Sequence, residues 1–354
     1  MGLKILHSAD WHLGSPFAGF DDNQRALLRQ EQQSIPGKIA QLCRREKCDL
    51  MLLAGDIFDG EPARETVEAL KKALSECGAR VFITPGNHDF CAPGSVWLEE
   101  RWPENVYIFT GGLEAVTIPE LNCRIYGAGY QSMDSAPLLE NFRAEGSEKY
   151  CIAVLHGDPT RKDSPYCPIT AQQVRDSGLQ YLALGHIHKA GAFHAGGTLC
   201  AWPGCPMGRG WDETGEKGVC IVTVEDSASL RAVALDTIRF HELKADISSG
   251  AEAALEKILP PAGSRDFFRI TLTGSGEADI PKLTQRFSAI PNLTLRDDTL
   301  PPLDIWGDTD ADTLEGVYFR LLREAMESDP GSREEIQLAA EISRKLLEGR
   351  EVTL

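Results

Sequence analysis

The chain has 354 residues, a formal net charge of −17, 42% hydrophobic residues and 25% charged ones. It is too long for one small module and has enough apolar mass for real cores. It holds no run of about 18 apolar residues, which excludes a membrane-spanning helix, and its acidity argues against a surface that coats nucleic acid without specificity.

The acid is uneven. Residues 301–354 hold 13 acids and 6 bases, whereas residues 156–217 hold 6 of each. A phosphate-binding face is therefore expected on the second stretch, where bound cations would add positive charge. The ten cysteines include no Cys-x-x-Cys pair. No basic region followed by an apolar one opens the chain, so no leader is expected. The thiols read as reduced and mostly buried, in a cytoplasmic protein.

Residues 4–8 read as the first strand. Residues 25–46 are helix-like, and Pro36 should kink or restart them. Residues 49–54 form a buried strand, and residues 63–77 a helix with Val67, Leu70, Ala73 and Leu74 at helical spacing. Strands follow at 80–84, 150–155 and 180–184, then a hairpin at 219–224 and 230–235. This alternation means an α/β core over residues 1–240.

From His241 the texture changes. Residues 251–259 look helical and stop at Pro260 and Pro261. Residues 267–272 alternate as a strand, and residues 280–287 suggest another helix. That makes a small α+β domain over 241–300, with a linker at 298–302. Two amphipathic helices fill 301–354. The first has a stripe of Leu314, Val317, Tyr318, Leu321, Leu322 and Ala325. A capping box of Ser332 and Glu335 opens the second, with its stripe at Ile336, Ala339, Ala340, Ser343, Leu346 and Leu347.

Five short motifs fall at the ends of expected strands. They are Asp10-Trp11-His12, Gly55-Asp56-Ile57-Phe58-Asp59, Gly86-Asn87-His88-Asp89, His156-Gly157 and Gly185-His186-Ile187-His188. In an open α/β sheet the loops at the carboxyl ends of strands converge on one crevice. Asp10 and His12, like His186 and His188, are two apart, so in an extended segment both side chains face one way. The neighbouring glycines permit tight turns. Asp, Asn and His without thiolate form an oxygen and nitrogen donor set that suits Mn²⁺ or Fe²⁺ better than structural zinc. A lone histidine is more often a satisfied core or surface residue; five such motifs in this order are not.

These motifs resemble those of the calcineurin-like metallophosphoesterases, and within them the SbcD and YhaO type of DNA repair exonuclease. The opening from Ile5 to Gly14 and the stretch from Trp202 to Gly218 are similar to that group. The likeness covers about residues 1–240 well, is looser over 241–300, and beyond 300 rests on helical texture.

The resemblance implies a four-layer αββα sandwich of two facing sheets flanked by helices, a capping domain and C-terminal helices. It implies two divalent ions, manganese first, with iron, zinc or magnesium as alternatives. One ion takes Asp10, His12 and His188; the other takes Asn87, His156 and His186; Asp56 bridges them. His88 stabilises the phosphate and protonates the leaving oxygen, and Asp59 orients His88. Gly60-Glu61 stands where protein phosphatases carry Arg-Gly, which counts against a phosphoprotein substrate. Arg209 and Lys217 are candidate phosphate contacts, or solvated charges of a structural loop. The implied partners are DNA and, through the C-terminal helices, a coiled-coil ATPase of the SbcC type; a homodimer stays open.

Trp11, Phe90, Trp97, Tyr166, Trp202 and Trp211 either stack on bases or, more commonly at strand ends, pack. His7 either supports a ligand or fills the core, and His194 and His241 have no role. Two other readings remain: a small-molecule phosphodiesterase or phosphatase on the same fold, and a scaffold that recruits the ATPase.

Overall fold

The computed structural model describes residues 2–260, 262–301, 303–307, 309–350 and 352. Pro261 and Pro302, expected as a helix stop and a linker end, lie outside the described residues. The chain divides into two compact units: Met1–His241 with Arg265–Phe267, and Glu242–Ser264 with Phe268–Leu354.

The elements of the first unit run in order as β1 (Leu3–Ser8), α1 (Asp22–Glu46), β2 (Leu50–Leu53), α2 (Arg64–Ser75), β3 (Arg80–Ile83), α3 (Val96–Glu99), β4 (Val106–Ile108), β5 (Glu114–Ile118), β6 (Cys123–Gly127), β7 (Tyr150–His156), α4 (Ala171–Asp176), β8 (Tyr181–Gly185), β9 (Gly191–Ala195), β10 (Thr198–Trp202), β11 (Gly218–Val224) and β12 (Ala228–Ala234). They build two six-stranded sheets, ordered β12-β11-β1-β2-β3-β4 and β5-β6-β7-β8-β10-β9. β1, β2 and β3 are parallel neighbours, as are β7 and β8. β11 and β12 form the expected antiparallel hairpin.

Strand period explains the layers. Ile5, Leu50 and Leu52 of the first sheet meet Ile152, Val154, Tyr181 and Ala183 of the second in one buried cluster. Their neighbours Leu6, Met51 and Leu53 face the other way and pack with Leu28, Ile35 and Ile39 of α1 and Leu70 of α2. On the far side Ala153, Leu155, Leu182 and Leu184 pack with Val174 of α4. Strands buried on both faces need no polar alternation, which is why they read as continuous apolar runs. The result is the helix–sheet–sheet–helix sandwich.

Pro36 does not break α1, which runs unbroken through it. Its buried stripe of Leu28, Ile35, Ile39 and Cys43 is anchored on the sheet, and that packing offsets the hydrogen bond a proline removes. Asp21 and Gln24 form a capping box at its start.

The second unit carries the greater part of a three-stranded sheet, β13-β14-β15, from β13 (Phe240–Asp246), β14 (Phe267–Thr273) and β15 (Leu293–Asp297). With α5 (Ala251–Ile258) and α6 (Ile280–Arg286) it buries Leu255, Ile270, Leu272 and Leu283. Helices α7 (Leu314–Ser328) and α8 (Arg333–Leu347) complete it.

Two expectations about these helices need correction. The expected α7 stripe is not the buried face: Leu314, Tyr318 and Leu321 are exposed, and Phe319 is fully buried instead. The Arg344 guanidinium lies 4.0 Å over the Phe319 ring, donates to Gly307 O at 2.6 Å and pairs with Glu315. A cation–π contact, with both terminal nitrogens of the guanidinium hydrogen-bonded, thus turns Phe319 inward. The Ser332–Glu335 capping box does not form, because the Ser332 hydroxyl bonds Asp329 Oδ2 at 2.9 Å.

Candidate metal centre

All five motifs meet at the carboxyl ends of β1, β2, β3, β7 and β8, where the two sheets open on a common edge. The first two loops are laced together. Asp10 N–H donates to Gly55 O, His12 N–H to Asp56 O, Leu13 N–H to Ile57 O and Asp59 N–H to Leu13 O, all between 2.8 and 3.0 Å. Buried Asp89 has the same effect on the third loop. Its Oδ2 accepts from Ile57 N–H and Phe58 N–H, and its Oδ1 from Gly86 N–H. Burial, reinforced by the Asp56 charge, pushes its carboxyl up to about 7.

The extended geometry expected for Asp-x-His and His-x-His is not what aims these side chains. Asp10, His12, Asp56 and His186 have φ of 55°, 47°, 51° and 86°. Left-handed backbone costs a non-glycine residue roughly 1–2 kcal/mol, and such strain clusters at functional sites. Turned backbone, not strand alternation, brings the groups to one point. Gly185 is required by close approach: a Cβ there would lie 1.9 Å from Ala54 O.

Both aspartates divide their oxygens in the same way. Asp10 Oδ1 accepts from His186 N–H and Asp56 Oδ1 from His88 N–H, each at 2.9 Å. Asp10 Oδ2 is buried with no protein partner. Asp56 Oδ2 lies 3.6 Å from His12 Nε2 and 3.4 Å from His156 Nε2. The histidines are oriented from behind. His156 Nδ1 is 2.9 Å from Ala54 O and His188 Nδ1 is 2.6 Å from Glu213 Oε1, which fits Nδ1–H donation and turns each Nε2 toward the centre. The Nε2 atoms of His12 and His188 are 3.2 Å apart, and His156 Nε2 is 2.9 Å from Asn87 Oδ1.

Ligand atoms of Asp10, His12 and His188 lie within 4.8 Å of one another, as do those of Asp10, Asp56 and His156, and of His12, Asp56 and His88. An orphaned buried carboxylate oxygen and imidazole nitrogens turned toward one another are the donor set a divalent cation satisfies. His186 is less closely placed: its ring sits 5.3 Å from that of His156 and 4.7 Å from that of Tyr166.

Electrostatics follow the packing. Burial pushes the Asp10 carboxyl up. Burial also raises Asp56, but His156, His12 and the His88 N–H together outweigh it and hold that carboxyl well below its usual range. Burial would lower His156, yet Asp56 and Asp10 raise it to about 9. His88 stands at the rim, and its bond to Asp59 holds its pKa up.

Other candidates divide. Arg209 reaches the centre, with Nη2 3.1 Å from His188 Nδ1 and 2.9 Å from Glu213 Oε1. Half-buried Lys217 precedes β11, and its carbonyl accepts from Leu235 N–H. His7 is a core residue, bonded to Tyr181 OH at 2.7 Å and Leu184 O at 3.0 Å. Trp11 and Trp97 are buried packing. Trp211 packs on Phe240 and Phe267, and the Trp202 indole N–H donates to Lys189 O. Glu213 and Asp89 are absent from the sequence-derived site. Asp89 was visible inside the third motif; Glu213 carried only the weak signal of an acid four residues after Arg209.

Residues 3–190 match the calcineurin-like phosphoesterase family. The chain belongs to that family. It is similar to the uncharacterized metallophosphoesterase YhaO of Bacillus subtilis, 35% identical over 63% of this chain and 57% of that one. The match therefore spans little more than half of that relative's length. It is also similar to the SbcD component of the SbcCD nuclease of Staphylococcus epidermidis, 23% identical over 82% of this chain and 84% of that one. Among solved structures, a dimetal phosphatase from Danio rerio aligns with a TM-score of 0.44 at 13% identity, covering 65% of this chain and 95% of that one. No helix among the described residues is long and apolar enough to cross a membrane.

Proposed function

We propose that this phosphoesterase is a dinuclear-metal phosphodiesterase acting on DNA, in the manner of a repair exonuclease. One observation carries the metal reading: the Nε2 atoms of His12 and His188, 3.2 Å apart beside the orphaned Asp10 carboxylate. Two imidazole nitrogens at that distance must share a proton or a cation. One ion would take Asp10, His12 and His188, the other Asn87, His156 and His186, with Asp56 shared. The oxygen and nitrogen donors favour manganese. When bound, such a pair of cations supplies Lewis acidity toward phosphate and lowers the pKa of water.

The chain's own groups do the rest. His88 holds a proton at the rim and passes it to the leaving sugar oxygen. Asp59 accepts from its Nδ1 and fixes the ring. Arg209 supplies a held positive charge for a phosphate oxygen, with Lys217 as a second contact. The similarity to a nuclease component over most of both chains supports DNA as substrate. The apolar residues exposed on α7 and α8, among them Leu314, Leu321, Leu346 and Leu347, support docking of a coiled-coil ATPase of the SbcC type, in the cytoplasm.

The test is the full chain with Mn²⁺, end-labelled duplex and a competing cyclic nucleotide. Nucleotide release by wild type, and its loss in His88→Ala, is the expected result. Hydrolysis of the cyclic nucleotide alone would transfer the activity to small molecules, and a silent wild type would remove the nuclease.

A further inference from the structure

We infer that Glu213 is a positioning residue of this centre, orienting the His188 ring and holding Arg209 beside it. The inference rests on the metal reading above. Glu213 is buried, yet its carboxylate has a full set of partners. Oε1 accepts from His188 Nδ1 at 2.6 Å and Arg209 Nη2 at 2.9 Å. Oε2 accepts from the Arg209 backbone N–H at 2.8 Å and faces the Cys205 thiol at 3.7 Å.

An imidazole whose Nδ1–H donates to a carboxylate is held in one orientation, with Nε2 turned outward to ligate. In His188 that nitrogen is the one turned to His12 and Asp10. The same oxygen holds the Arg209 guanidinium, so one buried side chain couples a ligand to a fixed positive charge. A plain structural role would be a buried ion pair that pins the loop and nothing more. Its loss would cost stability and leave the affinity of the centre for a cation unchanged.

Glu213→Gln keeps the shape and removes the charge, which separates the two roles. Full-length protein is titrated calorimetrically with Mn²⁺ alone, with urea unfolding alongside. The expected result is a folded Glu213→Gln protein with Mn²⁺ affinity lower by ~10–100-fold. In a His188→Ala background the same change should cost nothing further, because Glu213 acts through that ring. Arg209→Ala should not weaken Mn²⁺ binding. Unchanged affinity in Glu213→Gln, a loss that adds fully to that of His188→Ala, or failure of Glu213→Gln to fold would overturn the inference. A wild type that binds no Mn²⁺ would instead overturn the metal reading itself.

Discussion

Asp59 Oδ1 lies 3.0 Å from His88 Nδ1, at the open rim of a crevice whose other groups are mostly buried. The carboxylate holds the ring by one nitrogen and leaves the other free, the arrangement a proton donor needs. His88 also falls within 4.8 Å of ligand atoms of His12 and Asp56, so metal stoichiometry separates a donor from a ligand. For a donor, His88→Ala lowers turnover of an oligonucleotide by about 10²–10⁴ and leaves Mn²⁺ stoichiometry intact. On an aryl phosphodiester, whose leaving group needs no proton, the loss should shrink sharply. Loss of an ion in the variant would make His88 a ligand.

Asp10 is fully buried and its Oδ2 has no partner. A buried carboxylate with one oxygen unpartnered is costly in the metal-free protein and favourable once a cation binds. Each cation bound to the folded chain only, at 100 times its Kd, adds about 2.7 kcal/mol of stability. Mn²⁺ should therefore raise the thermal midpoint and a chelator should reverse it. Asp10→Asn should melt no lower than wild type without metal, yet lose much of the Mn²⁺-dependent gain. A variant that melts lower and still gains fully would refute this account.

The Gly185 backbone touches the first sheet. With a Cβ placed 1.9 Å from Ala54 O, Gly185→Ala must push β8 away from the Asp56 loop. Overpacking of this kind costs about 1–3 kcal/mol, readable by urea unfolding, and Mn²⁺ affinity should fall with it. Wild-type stability in this variant would mean that the two strands separate freely.

Away from the centre, Glu46 is held by Arg231 and by Lys4, whose Nζ lies 2.9 Å from Oε2. These partners, Arg231 first, lower its pKa from 4.5 to about 2. A depressed folded pKa means stability present above pH 4.5 and lost as pH falls toward 2. Glu46→Gln should flatten that part of the stability profile and leave its shape above pH 6 alone. An unchanged acid slope would show that the ion pair is dispersed in solution.

The strands buried on both faces were legible because continuous apolar runs have one stable use, between two layers. Short or half-exposed strands such as Val106–Ile108, Glu114–Ile118 and Gly191–Ala195 carry too weak an alternation to be legible. In α7, periodicity identified an apolar face but not the side that Arg344 and Phe319 would close.

The chemistry divides along the same line. Residue types and their order behind strands marked the candidate aspartates, histidines and asparagine, since a donor set is a property of composition; the grouping into a ligand set came from the family resemblance. Aim and protonation were decided only in three dimensions. The left-handed turns at Asp10, His12 and Asp56, the clamp of Asp89 on two loops, and the grip of Glu213 on His188 depend on groups as far as 176 positions apart. Hydrogen bonds and burial across that separation come from the packing of the sheets, which local spacing does not encode.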